Sequence, residues 1–474
     1  MDAFYRSFRC IGLFIALILQ FQLAACGGWT EDPTGKNDRI SVIVFSDVHF
    51  NPFYDPSLFQ KLVSADVGQW ASIFETSSIK APSAWGSDTN YPLLALSLSR
   101  IRQDLGSSPL IIYTGDILGH NFPQTFFALS GSHDPPDATD IEAMKAFADK
   151  TVTFFMDQVR SSAGNIPVVF AVGNSDSYSG LGPDSAFLGN TAELFYSKFL
   201  NGAADHQEFL DTFKAGGYYS AEPPGTNLMV IGLNTVIFSA QFHDIEKSAA
   251  DAELAWLESC LSSARSAGKK VWLLMHIPPG ADIYSTAQKV DTNGRIATAT
   301  MMWNKDYQKR FLGILSRYPG IIALTLAAHT HMDEYRILSP SNVLEITPAI
   351  SPFFGNNPAF RTFAVARDTM KPVDYSSLNY DLATTPEQLK FYYTFSAAYS
   401  AQGLLDHSLT ELFPALVTNK TKQAQYRGRY FSGHNYSIPT VNTQNPITDG
   451  NWPVYWCGIA EMGQQELLDC VNAH

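Results

Sequence analysis

The chain has 474 residues, 45% hydrophobic and 13% aromatic, enough apolar material for one large core or a core with an added lobe. Charged residues make up only 16%, the formal balance is −13, and no stretch is rich in Lys or Arg. That composition excludes a disordered chain and argues against nucleic acid as a partner, because polyanion binding rests on clustered cations.

At the N-terminus Arg6 and Arg9 precede an apolar stretch at 11–19, and small residues follow at Ala24 and Ala25. This is the layout of a secretory signal over residues 1–25, and the apolar stretch is too short to span a bilayer comfortably. Leu23-Ala24-Ala25-Cys26 resembles the lipobox of bacterial lipoproteins, with cleavage before Cys26 and lipid on its thiol. Residues 26–38 would then be a tether and Cys26 a point of membrane attachment. An ordinary signal peptide with a chance cysteine is the alternative. Both place the mature chain outside the cytoplasm.

Five apolar, β-branched runs follow, and each reads as a buried strand that ends in residues able to hold a divalent cation. SVIVFS runs into Asp47 and His49, LIIYT into Gly115 and Asp116, and PVVFAV into Gly173 and Asn174. KVWLLM runs into His276, and IIALTLAA into His329 and His331. Between them, helical patterns cover 91–105, 141–161, 191–200, 249–267 and 304–318. Segments 122–140 and 180–189, rich in Gly, Pro, Asp and Ser, read as loops that could rim a site. The alternation predicts a layered α/β sandwich, with ligands at strand C-terminal ends, where α/β active sites form. After residue 373, polar-aromatic segments such as LKFYYTFSAAYS predict a helical C-terminal lobe whose Tyr and Phe belong to the core.

The residue types point to a pair of metal ions. Residues two apart on a strand face the same way, so Asp47 and His49 can approach one ion together, and His329 and His331 form a second pair. Imidazole with carboxylate suits zinc, manganese or iron, whereas an all-oxygen site suits magnesium or calcium. Two close cations need an anion between them, and Asp116 on its Gly-Asp turn is the natural bridge. The glycines at 115 and 173 let the chain turn sharply beneath the metals. Taken alone, His276 reads as a hydrogen-bonded structural residue and Asn174 as a turn residue; their company carries the metal reading.

The ordered set D-x-H, G-D-x-x-x-H, G-N, H and H-T-H resembles the calcineurin-type metallophosphoesterases. GDILGHN at 115–121, SDVHFNPFYD at 46–55, HIPPG at 276–280, HTHMDEY at 329–335 and SPFFGNNPAFR at 351–361 resemble the acid sphingomyelinase-like phosphodiesterases, from about residue 40 to the C-terminus. The resemblance implies a four-layer α/β/β/α sandwich with a catalytic domain over 39–372 and a helical subdomain over 373–474. It implies one ion on Asp47, His49, Asp116 and His331, and a second on Asp116, Asn174, His276 and His329, zinc being the first choice. His120 matches the family histidine that contacts the substrate phosphate or protonates the leaving group. Asn356 and Asn357 lie in a loop that the family places near substrate, and Cys457 with Cys470 resembles a terminal disulfide of the family.

Two departures stand out. Ser175 replaces the histidine that usually follows Gly-Asn, which leaves His120 as the acid or favours substrates with good leaving groups. A cysteine expected near Trp85–Asp88 is also absent. The reading is hydrolysis of phosphodiester or phosphoanhydride bonds in small molecules, nucleotides or choline-type phosphodiesters, by a monomer. The alternatives are a sphingomyelin phosphodiesterase releasing phosphocholine and a catalytically weak lipoprotein that binds phosphorylated ligands.

Overall fold

The computed structural model describes residues 39–182, 184–241, 247–434 and 446–474. The signal, the lipobox Cys26 and the tether lie outside the described residues. Strands β1 (Arg39–Phe45), β2 (Ile111–Tyr113) and β3 (Val168–Phe170) pair in parallel. They share a six-stranded sheet with β10 (Ala359–Ala366), β11 (Lys371–Asn379) and β12 (Lys390–Thr394), in the order β12-β11-β10-β1-β2-β3. A second six-stranded sheet has the order β4-β5-β6-β7-β9-β8. It is built from β4 (Tyr219–Ala221), β5 (Leu228–Gly232), β6 (Lys270–Leu274), β7 (Ile322–Ala327), β8 (Glu334–Ser339) and β9 (Asn342–Ile346). The sheets face each other, β3 against β5 and β11 against β7, and helices cover the outer faces. This is the expected four-layer sandwich.

Burial explains why the strands were so easy to recognise. Val42, Ile43 and Val44 have no exposed surface, nor do Val168, Val169 and Phe170. A strand covered on both faces reads as a continuous apolar run. Helix Lys305–Arg317 buries Gln308, Phe311, Ile314 and Leu315, a stripe at helical spacing, and Asn304 caps it by accepting from Asp306 N at 2.9 Å.

Several expectations are corrected. Segment 122–140 is not a loop: Phe122–Ser130 is a helix, started by Pro123 in its first turn and anchored by buried Phe122 and Phe126. The next helix, Ala138–Ala163, begins at Asp137, whose carboxylate accepts from Thr139 N and Asp140 N at 2.8 and 3.0 Å. Helix Ser185–Phe195 likewise starts inside the expected loop at 180–189, because Asp184 accepts from Phe187 N at 2.7 Å. The region after 373 opens with strand rather than helix. β11 and β12 extend the first sheet, and a register shift beside Leu378 lets the Phe-Tyr-Tyr run pair while Tyr393 turns inward. Helices do dominate from Phe395–Tyr399 onward, with Leu405–Thr418, Lys420–Tyr430, Trp452–Ala460 and Gln464–Ala473. Cys457 and Cys470 form a disulfide between the last two helices, and Cys260 is a half-buried free thiol.

The two sheets are tied by a buried ion network. Arg361 on β10 donates from Nη1 to Glu345 on β9 at 2.9 Å and from Nη2 to Asp333, just after His331. Tyr393 O–H completes Asp333 at 2.8 Å, and the Tyr375 ring lies 4.4 Å beneath the guanidinium. Arg361, Asp333 and Glu345 are all at least nine-tenths buried, so each charge depends on its partners.

Candidate metal centre

The ligand candidates do not sit on strands. β1 ends at Phe45, and Asp47 and His49 follow in a loop whose N–H groups donate to Gly115 O and Asp116 O, both at 3.0 Å. Asp47 has φ 45°, His49 φ 44°, Asp116 φ 64°, His329 φ 73° and His331 φ 66°. Left-handed backbone in three crossing loops, not the two-residue alternation of a strand, therefore aims these side chains inward, which corrects the sequence argument for the Asp47–His49 and His329–His331 pairs.

Asp116 is the centre of the cluster. Its Oδ2 lies 3.3 Å from His49 Nε2 and 3.1 Å from His276 Nε2, and its Oδ1 accepts from Ser175 N at 2.7 Å. Asp47 Oδ1 is 3.6 Å from His331 Nε2 and 3.9 Å from both His49 Nε2 and His276 Nε2. Asn174 Oδ1 is 3.1 Å from His276 Nε2. The ligand atoms of His329, Asp116 and His276 lie within 4.8 Å of one another. All seven expected ligands are thus gathered around one carboxylate.

The chemistry of this set fits cations. His49 Nδ1 faces Leu118 O at 3.0 Å and His276 Nδ1 faces Thr114 O at 2.8 Å. A carbonyl only accepts, so in the neutral ring the proton sits on Nδ1 and the Nε2 lone pair points into the cluster. There it meets a carboxylate oxygen, which only accepts: Asp116 Oδ2 lies 3.3 Å from His49 Nε2 and 3.1 Å from His276 Nε2. Acceptors converging on acceptors are repulsive unless positive charge lies between them.

The titration behaviour agrees. Burial lowers His49 to about 4 and His329 to about 3, and it holds His331 well below the ordinary imidazole range, so these rings are neutral donors. Burial opposes charge on His276 too, but Asp116 and Asp47 outweigh it and raise the ring to about 9. Burial likewise raises Asp47 to about 7 despite His276, while Asp116 stays far below the usual carboxylate range because His276 and His49 overcome its burial. By itself, the cluster holds a proton where a cation fits.

Glycine is required beneath the bridge. A Cβ on Gly173 would lie 2.0 Å from Asp116 Oδ1 and 2.5 Å from Asp116 N; one on Gly115, at φ 103°, would meet Gly173 N at 2.8 Å. Two residues absent from the expected site complete it. Asp176, fully buried, accepts from Asp116 N at 3.1 Å, Ile117 N at 2.7 Å and Gly173 N at 2.8 Å, and so fixes the loop that carries the bridge. Asp88 accepts from His120 Nδ1 at 2.8 Å and from His120 N at 2.7 Å. Asp176 could have been found as the fourth residue of Gly-Asn-Ser-Asp; Asp88 left no local signal beyond the WGSD segment.

His120 stacks on His49 with centroids 4.0 Å apart and on Phe353 at 4.1 Å, at the edge of the cluster. It opens on a cleft of about 300 Å³ that Asp116, Asn174, His329 and His331 also line. Asn356 and Asn357 do not reach this cleft. Both are fully buried: Asn356 Nδ2 donates to Ser351 O at 3.0 Å, and Asn357 Nδ2 donates to Ser432 O at 3.3 Å while its Oδ1 accepts from Leu382 N at 3.2 Å. Their side chains satisfy buried carbonyls and shape the loop, which corrects their expected role in substrate binding. Ser175 contributes its N–H to Asp116, and its side chain is buried.

Residues 40–333 match the calcineurin-like phosphoesterase pattern. The chain belongs to the calcineurin-like phosphoesterase family. It is 26% identical to the mouse cyclic GMP-AMP phosphodiesterase SMPDL3A over 98% of this chain and 99% of that protein. It is 25% identical to sphingomyelinase phosphodiesterase C of Dictyostelium discoideum over 61% of each. A bovine sphingomyelin phosphodiesterase is 24% identical over 75% of this chain and 54% of its own length. With relatives named as phosphodiesterases, this calcineurin-like phosphoesterase is a phosphoric diester hydrolase, and its family uses a dinuclear metal centre. Among its described residues, no helix is long and apolar enough to cross a membrane.

Proposed function

We propose that this phosphoesterase hydrolyses small phosphodiesters at a two-metal site. Asp47, His49, Asp116 and His331 would hold one ion, and Asp116, Asn174, His276 and His329 the other. The observation that carries this is the meeting of imidazole lone pairs and carboxylate oxygens around Asp116 Oδ2, with His49 and His276 on either side at 3.3 and 3.1 Å. Zinc suits the donor set of imidazoles, carboxylates and one amide oxygen. When bound, the two cations supply charge neutralisation at the phosphoryl oxygens and lower the pKa of the attacking water.

The protein's own groups do the rest. Asp116 keeps its charge and shares it between the two half-sites. His120 acts as the acid: Asp88 holds its Nδ1–H, so Nε2 is the nitrogen left to carry a proton toward the departing oxygen. Burial lowers the affinity of His120 for that proton, but Asp88 outweighs burial and raises it. With Ser175 where a second histidine commonly stands, His120 bears the proton transfer alone, which favours leaving groups of low basicity such as a nucleotide phosphate. Phe353, Asp88 and Ser351 hold the imidazole still.

Sphingomyelin hydrolysis is the second reading, favoured by the relatives named as sphingomyelin phosphodiesterases. Export is supported by the disulfide between Cys457 and Cys470, a bond typical of oxidising compartments, and lipid attachment at Cys26 belongs to the same proposal. The test is elemental analysis of purified protein beside turnover of an aryl phosphodiester. Two equivalents of a transition metal and loss of both metal and turnover in Asp116→Asn are expected. Full activity in Asp116→Asn with two metals bound overturns the bridging role.

A further inference from the structure

Helix Lys247–Ser266, packed on β6, carries an acid that the chemistry at the metal cluster does not use. Glu253 has no exposed surface. Its Oε1 accepts from Asn234 N at 2.8 Å, and its Oε2 has no hydrogen-bond partner among the described residues. The charged side chains of the helices packed against it, His206–Gly216 and Lys305–Arg317, are exposed, and Lys270 Nζ on β6 donates to Gly320 O at 2.9 Å. The titratable groups on its own side are the Tyr218 phenol and the Cys260 thiol, neither of them a cation. A carboxylate enclosed with one donor and no counter-charge costs far more than the neutral acid. Burial accordingly pushes Glu253 well above its ordinary 4.5, and the Asn234 N–H only partly opposes it.

What Glu253 holds leads back to the metal cluster. Asn234 Nδ2 donates to Gly216 O at 2.8 Å, and its Oδ1 accepts from Val236 N at 3.3 Å, which caps the short helix Thr235–Phe238. Thr235 Oγ1 in that helix accepts from Ile277 N at 2.9 Å, and Ile277 directly follows His276. We propose that Glu253 works as a neutral carboxylic acid and is a positioning residue for the His276 side of the metal cluster, acting through Asn234 and Thr235. Its bearing on the cations rests on the two-metal reading above. An acid that holds its proton more tightly folded than unfolded contributes stability that is fully present below 4.5 and is lost as pH rises toward its folded pKa. Glutamine has the shape of the neutral acid, keeps an oxygen for Asn234 N and never ionises.

Urea unfolding of the metal-loaded wild type and Glu253→Gln, from about pH 4 to 8, reads the charge state. The two are expected to be alike below pH 4.5. Above it, the folding constant of the wild type falls against that of Glu253→Gln by about tenfold per pH unit until the folded carboxyl ionises. A difference that does not change with pH, or that comes to favour the wild type, overturns the neutral acid. Zinc calorimetry at neutral pH reads the positioning. One of the two zinc equivalents is expected to bind about tenfold more weakly in Glu253→Leu and to regain its affinity in Glu253→Gln. Thr235→Val, which keeps the shape and loses the acceptor for Ile277 N, gives the same reading one step nearer the metal should Glu253→Leu not fold. Unchanged zinc affinity in either variant overturns the positioning role. Failure of the two-metal reading is separately visible as a wild type that binds no zinc, and the urea series still decides the state of Glu253 in that case.

Discussion

Asp88 Oδ1 lies 2.8 Å from His120 Nδ1 while Oδ2 accepts the backbone N–H of the same histidine, so one buried acid fixes both the ring and the loop that carries it. Ser351 O–H donates to the same carboxylate at 3.2 Å. Burial would raise the pKa of Asp88, but His120 outweighs it, and the carboxylate stays ionised.

The Asp88→Asn variant keeps an acceptor and loses the charge. The pKa of His120 then falls, and because the protonated ring is the active acid, the alkaline limb of the pH–rate profile moves to lower pH. A loss of about 10–100-fold in kcat is expected for alkyl leaving groups, and much less for 4-nitrophenolate. An unmoved alkaline limb refutes the assignment.

In Gly173→Ala the new methyl group enters the space of the bridging carboxylate, with both an oxygen and a backbone nitrogen of Asp116 in the way. Because the obstruction is partly backbone, it cannot be relieved by a rotamer change. Metal content falls with activity, which is expected to drop by at least about 100-fold, the scale of a misplaced reacting centre. Two tightly bound metals in this variant would show that the loop has room to yield.

Metal affinity is expected to climb with pH in two regimes. His276 is held protonated up to about 9 and Asp47 up to about 7 when the side chains balance only one another. Binding a cation must expel those protons. Between pH 7 and 9 one proton leaves, so the apparent affinity rises about tenfold per pH unit, and below 7 the slope steepens as the second joins. Calorimetry in buffers of differing ionisation enthalpy counts the released protons directly; zero release at pH 8 contradicts the assignment of His276 as a ligand.

Arg361→Leu leaves Asp333 and Glu345 buried without their cation. Breaking one partner of such a pair costs about 3–5 kcal/mol, read as a lower urea midpoint. Because Asp333 follows His331 by two residues, weaker metal retention accompanies the lost stability. Burial already pushes Glu345 up to about 7 against the charge of Arg361, so the carboxyl binds its proton more tightly folded than unfolded. Stability through Glu345 is therefore fully present below its ordinary pKa near 4.5 and declines as pH rises toward 7.

Cys457→Ser opens a cross-link between residues 13 apart in sequence. Chain entropy alone assigns such a loop about 3 kcal/mol. The melting temperature should drop to that of the reduced wild type, and a variant as stable as oxidised wild type would place the restraint elsewhere.

The strand ends were legible because parallel strands buried on both faces spell themselves out as unbroken apolar runs, each stopping at a polar residue with metal-binding chemistry. What joins those ends was not. Asp88 acts through His120, 32 positions away, and no local pattern reports such a bond, whereas Asp176, which reaches Asp116 N 60 positions away, shows in the sequence only as the last residue of Gly-Asn-Ser-Asp. Asn356 and Asn357 stand in a segment that borders the site, yet buried carbonyls claim their side chains. β12, at the sheet edge, and β11 beside it mix polar and aromatic residues without an unbroken apolar run, so their sequence does not mark them as strands. Asp137 and Asp184 start helices where a count of Pro, Gly and Asp had indicated loops, since one well-placed cap outweighs composition.

The positive φ angles at Asp47, His49, Asp116, His329 and His331 limit how this enzyme could decay or be redesigned. Asn, Asp, His and Gly tolerate that conformation, whereas Val, Ile and Thr strain it. Drift that silences hydrolysis should therefore settle on asparagine or glycine at these five positions. Engineers wishing to empty the cage while preserving its architecture have the same short menu.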